Sequence, residues 1–228
     1  MLHFPTTIHD NFLPDPQGVI ALSERGTYKP CPYGRWPGTR SQPLIEFDQE
    51  FFTHFLTRYF LQFYDHDYLM SDKFHCSAIS YFQKIPPNLD MGWVHSDHPF
   101  IISLILYLTP DADPRSGTAF YRPKSFETIV SNESKKKDYY LGKIEKEESV
   151  PYRKAHNSGF VQTGFIGNQF NRLLAFDSQL WHGVQDFDTG ENERLTMITF
   201  IDTVVAKSYP ISRSRYFPLF RNREDVPI

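Results

Sequence analysis

Gly92-Trp93-Val94-His95-Ser96-Asp97 is the stretch on which the reading of this chain turns. In an extended segment successive side chains leave opposite faces, so His95 and Asp97 come off one side and Ser96 off the other. A second histidine arrives from far along the chain in Leu180-Trp181-His182. Two imidazoles and one carboxylate are the donors of the 2-His-1-carboxylate facial set, which grips Fe(II) on one face and leaves the opposite positions open. His95, Asp97 and His182 are therefore the candidate metal ligands. A lone His-x-Asp says little in a chain with nine histidines. Here the triplet closes a short strand predicted over 91–97, and after Pro99 comes Ile101 to Leu108, an apolar run of the kind buried on both faces of a sheet.

Further strands are predicted at 75–84, 117–122, 171–177, 181–184 and 194–203. Short strands at this spacing, divided by turn residues, indicate a mainly β fold, a double-sheet jelly roll or double-stranded β-helix. The expectation is one domain over 1–228, with a sheet core at about 75–203 and N-terminal helices packed on one sheet. In the apolar run, Ser103, Ile105 and Tyr107 share one side, opposite Leu104, Leu106 and Leu108. On the last strand, Arg194 and Thr196 share a face.

Upstream, His9 to Pro16 reads as a short strand turning into a helix, with Asp15 as N-cap, Pro16 as first helical residue and Gly26 as the stop. Prolines and glycines between 27 and 43 argue against regular structure there. Arg35, Trp36 and Arg40 lie in that loop, read as a surface loop pinned by Trp36, with a substrate wall as the second reading. From Glu46 to Phe63 one helix is predicted, because Phe47, Phe51, Phe55 and Tyr59 recur every fourth residue. A mixed-charge insert at about 124–159 carries Lys135-Lys136-Lys137 and Glu145 to Glu148. Such runs are usually solvated faces, and an insert between barrel strands is also a natural lid. Phe126 to Val130 reads as a helical turn, and the arginine-rich tail around Tyr216 to Phe220 as a packed extension.

Composition narrows the function classes. With 228 residues and 40% hydrophobic content the chain can fill one core. Its net charge of −3 and pI of about 6.3 offer no field for nucleic acid or anionic membrane. Cys31 and Cys76 match no zinc spacing and no disulfide framework, which suits reduced thiols. No charged leader precedes an apolar run, and no apolar stretch is long enough to span a bilayer, so the expected location is the cytoplasm.

The order of Tyr81, His95-Ser96-Asp97, Leu106-Tyr107-Leu108, Ser116-Gly117-Thr118, Phe170-Asn171-Arg172-Leu173-Leu174-Ala175-Phe176, His182 and Arg194-Leu195-Thr196 resembles the Fe(II)/2-oxoglutarate-dependent dioxygenase superfamily, in particular its prolyl-hydroxylase-like branch. The resemblance covers roughly residues 75 to 203. One departure is Ser116, where many members carry the first glycine of a pair. The resemblance implies that His95, Asp97 and His182 hold iron and that Arg194 anchors the distal carboxylate of 2-oxoglutarate. A guanidinium fork matches a carboxylate bidentately and keeps its charge. Tyr107 would assist, Thr196 would be a second donor, and Tyr81 would line the pocket near metal or cosubstrate. The implied activity is oxidation or hydroxylation of a small-molecule or peptide substrate with decarboxylation of 2-oxoglutarate to succinate, ascorbate being a candidate reductant. The alternatives are a cupin-like metal-binding protein, which leaves Arg194 without a purpose, and a non-catalytic barrel used for binding or structure. A nucleic-acid demethylase is disfavoured by the acidic balance.

Overall fold

Alternating apolar side chains set the strands, and polar or conformationally special residues set where they stop. The computed structural model describes residues 4–87, 92–125, 132–187 and 193–206. In chain order these form β1 (Thr7–His9), α1 (Pro16–Ser23), β2 (Lys29–Pro30), β3 (Thr39–Arg40), α2 (Leu44–Phe47), α3 (Gln49–Phe60), α4 (His66–Leu69), β4 (His75–Ile85), β5 (Ile102–Tyr107), β6 (Thr118–Pro123), α5 (Glu133–Tyr140), α6 (Lys146–Asn157), β7 (Phe160–Ile166), β8 (Leu173–Asp177), β9 (Trp181–Val184) and β10 (Arg194–Val205). Every pairing is antiparallel. A seven-stranded sheet runs β1-β8-β5-β10-β4-β3-β2 and a three-stranded sheet β7-β6-β9. The fold is mainly β and jelly-roll-like, with N-terminal helices on one face, as the strand spacing indicates.

The two faces of β5 divide the core. Leu104, Leu106 and Leu108 join Leu173, Ala175 and Met197 against Phe12, Val19, Leu22, Phe52 and Phe55 from α1, α3 and their connections. Tyr107 faces the other way, into the gap between the sheets, with Leu174 and Phe176 against Phe120 and Ile166 of the small sheet. Helix α1 begins as its sequence dictates: the Asp15 carboxylate accepts the Gly18 N–H at 2.9 Å, and Pro16 occupies the first turn. Asn171, at φ 59°, uses its side-chain amide to accept from Leu13 N (2.9 Å) and donate to Leu13 O (2.8 Å), tying the N-terminal segment to the edge of the sheet.

Several expectations are corrected. The helix predicted from Glu46 to Phe63 is two helices, because Asp48 leaves helical geometry to cap α3, accepting from Phe51 N at 2.9 Å. The loop at 27–43 contains the short strands β2 and β3, which extend the sheet beyond β4. Strand β7 has no forerunner in the sequence reading, since Gln162, Thr163 and Gly164 at its centre are all exposed and break any apolar alternation. In the segment predicted as a strand at 91–97, the described residues make a single isolated bridge, His95 to His182. Helices α5 and α6 occupy the insert; Phe126 to Val130 and the arginine-rich tail lie outside the described residues. Among the described residues no helix is long and apolar enough to cross a membrane.

The aromatic stripe of α3 contributes Phe52, Phe55, Tyr59 and Phe60 to the core shared by helices and sheet. Phe55 is 2% exposed and meets Phe12 edge to face at 5.7 Å. Phe55→Ala is expected to lower the unfolding free energy by about 3–5 kcal/mol in urea titrations. Met70→Ala, at a residue 57% exposed, should change it by less than about 0.5 kcal/mol.

Candidate metal centre

His95 and His182 lie directly opposite one another. Each N–H donates to the other residue's carbonyl, both at 2.8 Å, the geometry of a hydrogen-bonded antiparallel pair. Opposed residues of such a pair present their side chains on one face, and the two imidazole rings stand 4.4 Å apart between centres. The flanking backbone holds this register: Gly92 N–H donates to Val184 O at 2.7 Å and Asp97 N–H to Ser178 O at 2.8 Å. A side chain at Gly92 would put its Cβ 2.9 Å from Val184 N, so only glycine permits that approach.

Each ring is fixed by its other nitrogen. His95 Nδ1 faces Trp93 O and His182 Nδ1 faces Leu180 O, both at 2.8 Å. A carbonyl only accepts, so both Nδ1 atoms carry the proton and both Nε2 lone pairs are free to ligate. Asp97 completes the set, its carboxylate oxygens 3.6 Å from His95 Nε2 and 3.3 Å from His182 Nε2. The ligand atoms of all three residues lie within 4.8 Å of one another. Neighbouring ligands of one ion, each about 2.1 Å from it at right angles, stand roughly 3 Å apart, so small side-chain adjustments close this triangle on a metal. Ser103 Oγ donates to Asp97 Oδ2 at 2.7 Å and meets Ser178 Oγ at 2.8 Å, which orients the carboxylate from the floor of β5.

The electrostatics match a cation site. Burial would raise the Asp97 pKa, but the two imidazoles and the Ser103 hydroxyl outweigh it and hold the carboxyl below its usual range. Burial, with the positive charge of His182 and Lys136, pushes His95 down to about 3, so it is neutral. Burial also disfavours the charged form of His182, yet the Asp97 carboxylate moves its pKa upward. His95 keeps 38% of its side chain accessible where its ring borders the cavity.

That cavity, of about 100 Å³, is lined by the three ligands, by Arg194, Thr196, Ile198 and Phe200 of β10, and by Thr118. Arg194 is 4% exposed, its guanidinium carbon lies 5.6 Å from the centre of the Tyr107 ring, and no carboxylate among the described residues pairs with it. Its Nε and Thr196 Oγ1 are buried without hydrogen-bond partners. Burial lowers the Arg194 pKa. The Tyr107 hydroxyl is engaged with Thr118 Oγ1 at 2.8 Å. Five of the seven residues singled out in the sequence therefore line one cavity. Tyr107 and Tyr81 do not border it: Tyr107 lies behind Arg194 and Thr118, and the Tyr81 ring sits 5.8 Å from the Arg40 guanidinium carbon.

Residues from the loop whose second reading was a substrate wall, and from the insert that could serve as a lid, complete the wall. Trp36 and Arg40 of the 27–43 loop and Lys136 and Tyr140 of α5 all border the cavity. The spacing of Lys136 and Tyr140, four apart on one helix, is the signal that could have found them. Helix α6 braces the ligand segment: Asn157 accepts from Val94 N at 3.0 Å and donates to Gly92 O at 2.9 Å, and His156 Nε2 meets Val94 O at 2.7 Å. His75 and His98 are exposed. Asp177 serves a turn, accepting from Gln179 N, and Arg172 is bound bidentately to Asp10.

A His-Asp-His cluster and a buried arginine without a carboxylate partner among the described residues lie in the gap of a jelly-roll-like fold, and solved structures share that fold. HygX from Streptomyces hygroscopicus, with nickel and 2-oxoglutarate bound, aligns at TM-score 0.55 and 13% identity, over 86% of this chain and 82% of that one. A Trichoplax adhaerens prolyl hydroxylase in complex with a hypoxia inducible factor peptide aligns at 0.52 and 13% identity, over 86% and 83%. EvdO2 from Micromonospora carbonacea var. aurantiaca aligns at 0.51 and 12%, over 90% and 89%. The resemblance to the Fe(II)/2-oxoglutarate oxygenases and their prolyl-hydroxylase-like branch is thus a shared fold. The chain belongs to the family DUF6445, described as a family of unknown function, whose model matches residues 3–200. Curated proteins give no match.

Since Ser103 orients Asp97, Ser103→Ala should weaken Co(II) binding, followed by calorimetric titration, by about 10- to 100-fold. Ser96→Ala, on the opposite face of the segment, should leave it unchanged.

Proposed function

We propose that this protein is an Fe(II)- and 2-oxoglutarate-dependent oxygenase, a double-stranded β-helix in one domain, that hydroxylates or otherwise oxidises a small-molecule or peptide substrate. The observation that carries the reading is Arg194. A guanidinium buried without a carboxylate is costly unless a ligand supplies one, and Arg194 borders the cavity that holds the two imidazoles and the carboxylate. A five-carbon diacid meets both demands, one end at the metal and the other on the fork.

Bound iron and 2-oxoglutarate supply the oxidising chemistry, with O2 consumed and 2-oxoglutarate decarboxylated to succinate. The chain's own residues hold and align. His95 and His182 offer Nε2 because Trp93 O and Leu180 O occupy their Nδ1 protons. Asp97 stays ionised and correctly turned through Ser103. Arg194 and Thr196 present donors that no protein acceptor satisfies, while Tyr107, anchored on Thr118, supports the guanidinium with its ring face. The nickel and 2-oxoglutarate held by HygX on a like fold support this assignment. A cupin-like metal-binding protein or a barrel used only for structure gives Arg194 no counter-ion.

Supplied with Fe(II), ascorbate and 2-oxoglutarate in air, the protein should form succinate, and His95→Ala should form none. Arg194→Ala should weaken 2-oxoglutarate binding by about 30-fold or more and leave Co(II) affinity unchanged. Equal loss of both would make Arg194 a structural residue, and failure of the wild type to bind either metal or 2-oxoglutarate would overturn the assignment.

A further inference from the structure

Apart from Trp93 Nε1, the unmatched donors of the cavity wall form two separated groups. Arg194 Nε and Thr196 Oγ1 belong to the cosubstrate end. Arg40 Nε and Trp36 Nε1 are likewise buried without a hydrogen-bond partner, and both residues border the same cavity. They lie on a different part of the fold: Arg40 ends β3, which pairs with β4 on the side away from β10. The Arg40 guanidinium carbon lies 4.0 Å from the Trp36 ring centre, 5.8 Å from that of Tyr81 and 5.5 Å from that of Phe200. Phe200 is six residues along β10 from Arg194 and pairs with Ser103, the residue that holds Asp97. The Arg40 head group is therefore at the metal end of the cavity, and Arg194 at the other end of the strand.

Arg40 has no carboxylate within ion-pair distance among the described residues. Burial lowers its pKa to about 10 against the attraction of the Asp97 charge, so it remains cationic at neutral pH. A divalent ion held by the three ligands would take up the charge of Asp97, the leading charge attraction acting on Arg40. Three aromatic rings hold the planar fork in place, the arrangement that favours bidentate recognition of a planar carboxylate.

Resting on the oxygenase reading, we infer that Arg40, stacked on Trp36, binds a carboxylate of the primary substrate beside the metal, so that the substrate class is small carboxylic acids. The 2-oxoglutarate carboxylate is already allotted to Arg194, and a neutral peptide backbone would leave Arg40 without its counter-charge.

The test uses the full chain, anaerobic, with saturating Mn(II) and 2-oxoglutarate, titrated with acetate and benzoate and with the neutral acetamide and benzamide, tryptophan fluorescence being followed. At least one acid should bind saturably and its amide should not. Arg40→Gln should weaken acid binding by about tenfold or more and Arg40→Lys by less, with 2-oxoglutarate affinity unchanged in both. No acid binding, equal binding of acid and amide, an acid that displaces 2-oxoglutarate, or acid binding indifferent to Arg40→Gln would overturn the inference. The two readings fail separately. If the wild type does not bind 2-oxoglutarate while acid binding follows Arg40, the cosubstrate assignment falls and the carboxylate site stands; if 2-oxoglutarate binds normally and Arg40 has no effect, only the carboxylate site falls.

Discussion

Two backbone hydrogen bonds, exchanged between His95 and His182, are the constraint from which the site follows. Metal ligands far apart in sequence can be aligned by side-chain packing, but packing alone leaves rotational freedom about each backbone. A hydrogen-bonded antiparallel pair removes it, because opposed residues must show their side chains to one face. The imidazoles then differ only in ring rotation, and the carbonyls of Trp93 and Leu180, each two residues before its histidine, remove that as well. Both histidines thus repeat one local device: a ring turned back on the carbonyl two residues upstream. Asp97 enters on the same face by strand alternation and is turned by a hydroxyl of the opposite sheet. The centre therefore sits where the small sheet meets the large one, and any slip between 92–97 and β9 would scatter all three ligands.

Such a site is a local liability. Asp97, Arg40 and Arg194 are charges in a poorly solvated gap, and several donors around them have no protein acceptor. In a core built for stability alone, these positions would be apolar or paired. The compensation lies on the far face of the large sheet, where the leucines of β5 and the aromatic stripe of α3 share one apolar cluster and the buried Ser80 and Thr199 hydroxyls satisfy each other at 2.6 Å. One strand does both tasks: β5 gives Leu104 and Leu106 to the helix-covered core, Ser103 to the Asp97 carboxylate and Tyr107 to the gap between the sheets. Its two faces explain why the run from 101 to 108 reads as continuously apolar although its inward side is functional.

That double use also governs how much was legible in the sequence. Strands packed on both faces announce themselves, and β5, β9 and the head of β10 fall where their composition puts them. The His-x-Asp triplet was readable because its spacing carries a facing rule. The segment around it was over-read as a strand, since only His95 forms a ladder-type pair among its described residues. Asp48 broke a helix that apolar periodicity alone would continue, because periodicity does not register a side chain competing for the backbone N–H of Phe51. Lys136 was hidden for a related reason. In Lys135-Lys136-Lys137 all three look solvated, and only the helical turn of α5 sends one inward while its neighbours stay outside. Burial of a charge is decided by tertiary placement, and composition carries no trace of it.

The origin of the side chains around the cavity separates two kinds of requirement. His95, Asp97, His182 and Arg194 come from the sheets or from the segment bonded to them, where backbone ladders fix positions to a fraction of an ångström. Arg40 and Trp36 come from the 27–43 loop, Lys136 and Tyr140 from the insert. These two peripheral pieces are packed on each other: Gly34, at φ 59°, approaches Lys137 so closely that a Cβ would stand 2.5 Å from the Lys137 carbonyl oxygen. Loop and insert thus form one wall facing a centre that neither of them builds. Changing that wall would alter what reaches His95, Asp97 and His182 without disturbing the ladder that holds them, so the lining of the cavity and the cluster at its floor are physically separable in this fold.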